Sequence, residues 1–246
     1  MTIKNIHIIF LFFLTNTLCL AQEDSIVVEK DTFDNYRLHK LWELGVSANA
    51  YKGDLSDNYG FWSSSMHLGL KFAKKKRWNG HFNFSIGNIR GENYAYEFSN
   101  TATPNRFFRT NLVAFQFDLQ YNFLKTKHWI GHVGQGIGLM RFLPKNENNV
   151  KLQNELQTRA INEVYGNVTA ILPTSVAITY LLKNGYGLGM NVTWLRPTTD
   201  YLDNISLWGT KQGNDKVIMV KFYVSVPAWK IRKFLRLEDN IKPTSR

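Results

Sequence analysis

Cysteine is nearly absent from this sequence. The single thiol, Cys19, lies in IHIIFLFFLTNTLCL (residues 6–20), an apolar run with Lys4 before it and the small Ala21 just after it. That arrangement reads as a secretory signal peptide over residues 1–21, cut after Ala21. Leu18 is too large for the small residue that lipoprotein processing needs ahead of a lipidated cysteine, so Cys19 leaves with the leader. The mature chain then holds no thiol, which excludes disulfides, thiolate chemistry and cysteine metal sites. Past residue 21 no apolar run is long enough for a transmembrane helix. A phosphate-cradling glycine loop is also missing. Acidic residues are few against basic ones, 19 against 30, for a formal net charge of +11. Export removes nucleic acid from the partners such a charge would otherwise suggest. The length of 246 residues suggests one domain, and aromatics make up 14% of it. An exported, aromatic-rich chain of this size is either a periplasmic β protein or an outer-membrane barrel.

The strands decide. Apolar and polar residues alternate in segment after segment, and a period of two means a strand with one apolar face. In LWELGVSANAY (from Leu41) Trp42, Leu44, Val46, Ala48 and Ala50 oppose Glu43, Gly45, Ser47 and Asn49. WSSSMHLGLKF (62–72) sets Met66, Leu68, Leu70 and Phe72 against His67, Gly69 and Lys71. WNGHFNFSI (78–86) sets Phe82, Phe84 and Ile86 against His81, Asn83 and Ser85. The clearest is NLVAFQFDLQYNF (111–123), with Val113, Phe115, Phe117, Leu119, Tyr121 and Phe123 outward and Gln116, Asp118, Gln120 and Asn122 inward. A glycine-broken fifth segment (129–142) alternates poorly; its missing side chains make room for bulky neighbours or a kink. TSVAITYL (174–181), YGLGMNVTW (186–194) and VIMVKFYVSV (217–226) complete eight. AKKKR, LKTKH and LKNG are tight turns, whereas the segments near 52–61, 88–110, 143–173 and 195–216 are long.

Short turns at one end and long loops at the other are the pattern of a bacterial outer-membrane barrel. The expected fold is therefore all-β: an eight-stranded antiparallel transmembrane β-barrel of outer-membrane type over residues 41–229, with short periplasmic turns and long extracellular loops. A polar N-terminal periplasmic segment (22–40) precedes it and a basic amphipathic tail (230–246) follows. Aromatic placement separates a barrel from a soluble sandwich. Trp42, Trp78, Trp129 and Tyr186 begin odd strands, and Phe72, Phe123, Tyr180 and Trp229 lie at or just past the ends of even ones. All fall at the short-turn rim, where an interfacial girdle belongs. Trp62 and Trp194 mark the opposite rim. A soluble two-sheet fold has no reason to align aromatics at one height.

An eight-stranded barrel has room for its own side chains and little else. Its inward residues are mostly polar, and buried charges must be paired. A carboxylate–lysine network of Glu43, Lys71, Asp118 and Lys221 is expected to plug the lumen. The short turns and the tail carry Lys74, Lys75, Lys76, Arg77, Lys125, Lys127, Lys183, Lys230, Arg232, Lys233 and Arg236, with no carboxylate in those segments. This basic periplasmic rim suits outer-membrane lipids with anionic headgroups, or an acidic periplasmic partner. Ile231, Phe234 and Leu235 share a helical face in the tail, as an interfacial helix would.

Several motifs sit between the strands: YKGDL (51–55), FSIGNIRGEN (84–93), NRFFRTNL (105–112), DLQYNF (118–123) and TDYLDNIS (199–206). Together they resemble the uncharacterised outer-membrane β-barrel domain family of Bacteroidota, whose PorG-like members are associated with type IX secretion. The resemblance covers roughly residues 41–226. In that family the last motif usually reads TDYLDD followed by V-S; here Asn204 and Ile205 replace the second acid and the valine. The resemblance implies an outer-membrane barrel and, for some members, secretion-machine proteins of the periplasm or outer membrane as partners.

The motif Thr199, Asp200, Tyr201, Leu202, Asp203 falls in the last extracellular loop, and Gly53, Asp54, Leu55 in the first. Pro197 helps the chain leave the seventh strand. Asp200 and Asp203 can accept from nearby backbone N–H groups, so a single helical or tight turn is expected, with Tyr201, Leu202 and Ile205 folding down as an apolar lid. The loop then acts as a structural cap or as a surface for a secretion partner or cargo. Calcium on Asp54, Asp200 and Asp203 has too few ligands in view, so no metal or cofactor is expected. The functional expectation is a non-enzymatic accessory or scaffold barrel. A lipid-modifying enzyme needs a nucleophile and base on the outer-leaflet rim. His39 precedes the first strand, His128 lies at a periplasmic turn, His67 and His81 point inward, and His132 sits near the periplasmic half. A small-solute channel conflicts with the filled lumen.

Overall fold

A computed structural model describes residues 40–72, 77–95, 102–183, 185–209 and 213–228. The expected leader, the 22–39 segment, Lys74–Lys76, Trp229 and the 230–246 tail lie outside the described residues. Eight strands follow in order: β1 (Lys40–Lys52), β2 (Trp62–Phe72), β3 (Trp78–Glu92), β4 (Phe107–Lys125), β5 (Trp129–Lys145), β6 (Val168–Leu181), β7 (Gly187–Pro197) and β8 (Lys216–Pro227). Each pairs antiparallel with its sequence neighbour, and β1 pairs with β8 to close the barrel. Closure leaves no sheet edge, so every strand satisfies its backbone groups internally, as a lipid environment demands. No helix among the described residues is long and apolar enough to cross a membrane; the crossing elements are strands.

The outward face carries the apolar band. On β4, Val113, Phe115, Phe117, Leu119 and Phe123 are exposed or nearly so, while Gln116, Asp118, Gln120 and Asn122 are buried between them. That outward run of about 11 residues suits a tilted bilayer crossing. Trp78, Phe123, Trp129 and Tyr180 stand exposed at the short-turn end. There Trp78 packs on Tyr121 with centroids 5.0 Å apart, and Trp129 on Tyr180 at 4.9 Å. Trp62 and Trp194 are exposed at the other rim.

The strands run further toward the extracellular side than the alternation suggests. β3 continues to Glu92 and β4 begins at Phe107, where sequence reading places loop. Beyond the apolar band the pattern inverts rather than stops. Phe108, Thr110 and Leu112 point inward and are buried, while Arg109 and Asn111 face out. Above the membrane, water wets the exterior, so the apolar residues turn inside.

The interior is consequently layered, not polar throughout. At the periplasmic end Leu41, Ile130 and Leu181 cluster. Polar and charged residues fill the middle. An apolar core tops it, built from inward strand residues such as Tyr51, Ile89, Phe108, Met140, Phe142 and Leu195 together with Leu55, Leu152, Leu202 and Ile205 from the loops. Tyr51 meets Phe108 edge-on at 4.7 Å. Each such large side chain contributes about 1.5–3 kcal/mol through burial, so the long loops are folded onto the barrel mouth. The 146–167 connection adds two single-turn 3-10 helices, Leu152–Asn154 and Leu156–Thr158.

Candidate functional site

Two polar assemblies lie inside this frame. The first is in the middle layer. His81 on β3 stands between Asp118 on β4 (Nδ1–Oδ2 3.1 Å) and Glu43 on β1 (Nε2–Oε2 3.2 Å). The contact to Glu43 has ion-pair distance but is out of line for a hydrogen bond. Lys221 on β8 reaches the same Glu43 oxygen at 3.9 Å, and Gln116 Nε2 donates to Asp118. Lys71 lies instead against His132, Nζ to Nδ1 3.4 Å. Glu43 and His81 can meet across β2 because Gly69 stands between them. A Cβ there would sit 2.6 Å from His81 Nε2 and 3.1 Å from the Glu43 Cβ. His132 reaches inward where β4 bulges between Asn122 and Leu124, leaving Gly131 and His132 both buried.

His67 belongs to a separate chain of directed bonds. Ser47 donates to Asn49 Oδ1 (2.6 Å), so the 2.7 Å contact between Ser47 Oγ and His67 Nε2 assigns the ring proton to Nε2. His67 Nδ1 is then free to accept from Asn83 Nδ2 at 3.5 Å. These side chains pack the lumen, and among them Asn83 Oδ1 is the atom left without a hydrogen-bond partner.

The second assembly closes the mouth. Pro197 ends β7, and the TDYLDNIS loop descends into the upper core. Leu202, Asp203, Asn204 and Ile205 are all buried. Asn204 N–H donates to the Tyr201 carbonyl at 3.2 Å, forming a tight turn, and Asp203 Oδ1 accepts from Ile205 N–H two residues on (2.9 Å). The Tyr201 ring stacks on Tyr165 at 4.4 Å, and its hydroxyl donates to Glu163 (2.9 Å). Glu163 also accepts from the backbone of Ala160 and Leu207, tying two long loops together. Asn204 has φ of 74°, left-handed backbone that asparagine tolerates better than most residues. Its Nδ2 donates to Asn105 (3.1 Å) and Thr158 (2.8 Å), and its Oδ1 accepts from the Tyr165 hydroxyl (2.8 Å). Below the turn, Thr110 donates to the Leu202 carbonyl and Asn105 to that of Asp203 (2.8 Å).

At the base of the cap, Tyr51 Oη lies 2.6 Å from Asp203 Oδ2 and 2.7 Å from Asp215 Oδ1. A phenol has one proton, so it cannot donate to both carboxylates. One acid therefore holds a proton and donates to the phenolic oxygen while the phenol serves the other. Burial pushes Asp203 up to about 8, and burial with the nearby Asp203 charge holds Asp215 well above the usual carboxylate range. Asp200 is pushed up to about 7 by burial, then by Asp54 and Glu163. Asp215 is anchored from its other oxygen by Leu202 N–H at 2.8 Å. The first-loop motif fits against this cluster. Gly53 passes so close that a Cβ would strike Tyr51 Oη and Asp215 Oδ1. Leu55 enters the upper core, and Asp54 is buried beside it.

Among the described residues no three His, Cys, Asp or Glu side chains form a metal-holding group. Both Asp203 oxygens are already committed, to Tyr51 and to Ile205 N–H. Of the basic periplasmic rim Arg77, Lys125, Lys127 and Lys183 are described; Arg77 is exposed and reaches the Tyr121 hydroxyl at 3.4 Å. Tyr51 and Asn105 open two of the motifs seen in the sequence, YKGDL and NRFFRTNL, whereas Thr158, Glu163, Tyr165 and Asp215 carry the cap although nothing local in the sequence marks them.

No family model matches the chain, and no curated protein matches it in sequence. Solved barrels are similar in shape. Neisserial surface protein A aligns over 76% of this chain and 96% of its own, at 11% identity and TM-score 0.49. Ail, the attachment invasion locus protein of Yersinia pestis, aligns over 76% and 96% at 10% identity and TM-score 0.42. The outer membrane enzyme PagL aligns over 75% and 99% at 14% identity and TM-score 0.36. At these values the likeness carries no functional argument.

Proposed function

We propose that this protein is a non-enzymatic, non-conducting integral outer-membrane barrel that serves as a scaffold or accessory component of an envelope machine, in the manner of type IX secretion. A cleaved leader over residues 1–21 would deliver it there. The observation that carries this reading is the sealing of the barrel at three levels. Leu41, Ile130 and Leu181 fill the periplasmic end, the Glu43–His81–Asp118 group fills the middle, and the TDYLDNIS loop fills the mouth. Such a body offers no solute path and presents fixed surfaces to partners. Rim catalysis finds no support in the strand histidines, because His67, His81 and His132 are buried in the lumen. The secretion link comes from the motif resemblance.

The test is crosslinking and affinity capture from outer membranes. Wild type is compared with a variant in which Lys74–Arg77 and the basic residues of 230–236 are neutralised. The reading expects wild type to bring down secretion-machine proteins and the inserted variant to lose them. Recovery of the same set, or of no envelope protein, by both forms contradicts it.

A further inference from the structure

The outward face just beyond the apolar band carries a row of cations across neighbouring strands. Arg90 on β3 is the direct register partner of Arg109 on β4, and Arg109 is the register partner of Lys145 on β5. Lys145 bridges in turn to Lys151. Arg90, Arg109 and Lys151 are exposed, and Lys145 half so. Arg90 and Arg109 point outward, since the residues flanking them, namely Ile89, Gly91, Phe108 and Thr110, are buried inside. Like charges directly opposite one another destabilise a sheet pair. The nearby carboxylates make their hydrogen bonds elsewhere, Glu147 accepting from the Tyr94 hydroxyl and Glu155 from Asn146. No ion pair engages this row among the described residues.

A second observation lies two outward rows lower. Arg141 on β5 is exposed, yet its register partners are Val113 and Val168, both outward and apolar. A guanidinium in the last row of an apolar band must extend its aliphatic stem toward the headgroup layer and find an anion there. It stands four residues below Lys145 on the same face of β5, about 13 Å along the strand, with the Asn111–Leu143 row between them. Planar guanidinium groups match phosphate oxygens bidentately.

We infer that Arg90, Arg109, Arg141 and Lys145 form a binding site for the phosphorylated headgroup of an outer-leaflet glycolipid. The site rests on the outer-membrane placement proposed above and not on the secretion role. It gives the barrel a preferred lipid on its β3–β5 side, with the phosphate offsetting the cross-strand repulsion.

The test uses the full-length folded barrel in mild detergent, with lipid retention read by native mass spectrometry. The probes are diphosphorylated lipid A and its dephosphorylated form. Wild type should retain the phosphorylated form at least about tenfold better, the scale of one strong charge-assisted contact. R109Q/R141Q/K145Q should fall to the level of the dephosphorylated lipid while keeping the heat-modifiable mobility of a folded barrel. Inorganic phosphate at millimolar level should leave the bound lipid in place. Equal retention of the two lipids by wild type overturns the inference without recourse to any variant. So does wild-type retention by the triple variant, and so does displacement by inorganic phosphate, which would mark a free-anion site. R109K/R141K, which keeps the charge and loses the planar fork, should show an intermediate loss. A negative lipid result with the barrel still inserted leaves the scaffold reading standing; failure to insert in outer membranes would remove both.

Discussion

The Tyr51 hydroxyl lies 2.6 Å from Asp203 Oδ2, joining β1 to the last extracellular loop across 152 positions of sequence. Because Asp215 lies 2.7 Å from the same oxygen, Tyr51 is the one group that lets two buried carboxyls face each other. Y51F keeps the ring packing against Phe108 and removes only the hydroxyl. A buried acceptor left without its donor costs about 1–3 kcal/mol. Limited proteolysis should therefore cut residues 198–215 faster in Y51F while the strands stay protected. Equal cutting rates would show that the hydroxyl does not hold the cap. G53A should behave similarly, since its Cβ would displace Tyr51 and Asp215.

The same cluster sets a pH dependence with a definite sign. Asp203 is raised from an ordinary 3.8 to about 8 by burial, and Asp215 moves in the same direction. The seated loop thus binds a proton that the released loop gives up. Stability of the cap is greatest below the ordinary carboxylate pKa and falls as pH rises from 3.8 through about 8. Hydrogen exchange in residues 198–215 should be slower at about pH 5 than at about pH 9 after correction for intrinsic rates. D203N should weaken the dependence, because an amide can accept from Ile205 and donate to Tyr51 without ionising. A pH-independent wild type would contradict the shared proton.

Asn204 is held in the cap through its side-chain amide. Its amide donates twice, to Asn105 and Thr158, which a carboxylate cannot do. N204D should cost roughly 2–4 kcal/mol through lost donors and a buried charge. N204G relieves the left-handed backbone and loses only the side-chain bonds, so it should cost less. Denaturant midpoints of the refolded barrel give the order; N204D equal to wild type would be the contrary result.

In the lumen, H81L removes the group between Glu43 and Asp118 and leaves two buried carboxylates short of a partner. The expected loss is about 3–5 kcal/mol. E43Q and D118N added to H81L should restore part of it, read from the same unfolding transitions. If H81L alone unfolds like wild type, the histidine does not bind the two acids together.

Much of this fold is legible in alternation alone. Val113 to Phe123 announces a strand with a lipid-facing side, and the Trp78, Trp129 and Tyr180 positions announce a rim. The extracellular strand extensions are not legible in the same way. From Phe107 to Leu112 the period of two persists while its polarity reverses, so outward arginines resemble loop. The cap is legible only as a motif. TDYLDNIS is visible as an unusual loop, but Tyr51 and Asp215 look like an ordinary strand tyrosine and loop acid until closure of the barrel brings them together. His81 likewise reads as generic packing, because the glycine at position 69 that lets it reach Glu43 is on a different strand.

The central claim, a barrel sealed through its length, is tested most directly by planar-bilayer recording of the refolded wild-type protein with the cap intact. The account predicts insertion without a stable open level. Steady, reproducible ion-conducting steps from the wild type would contradict it.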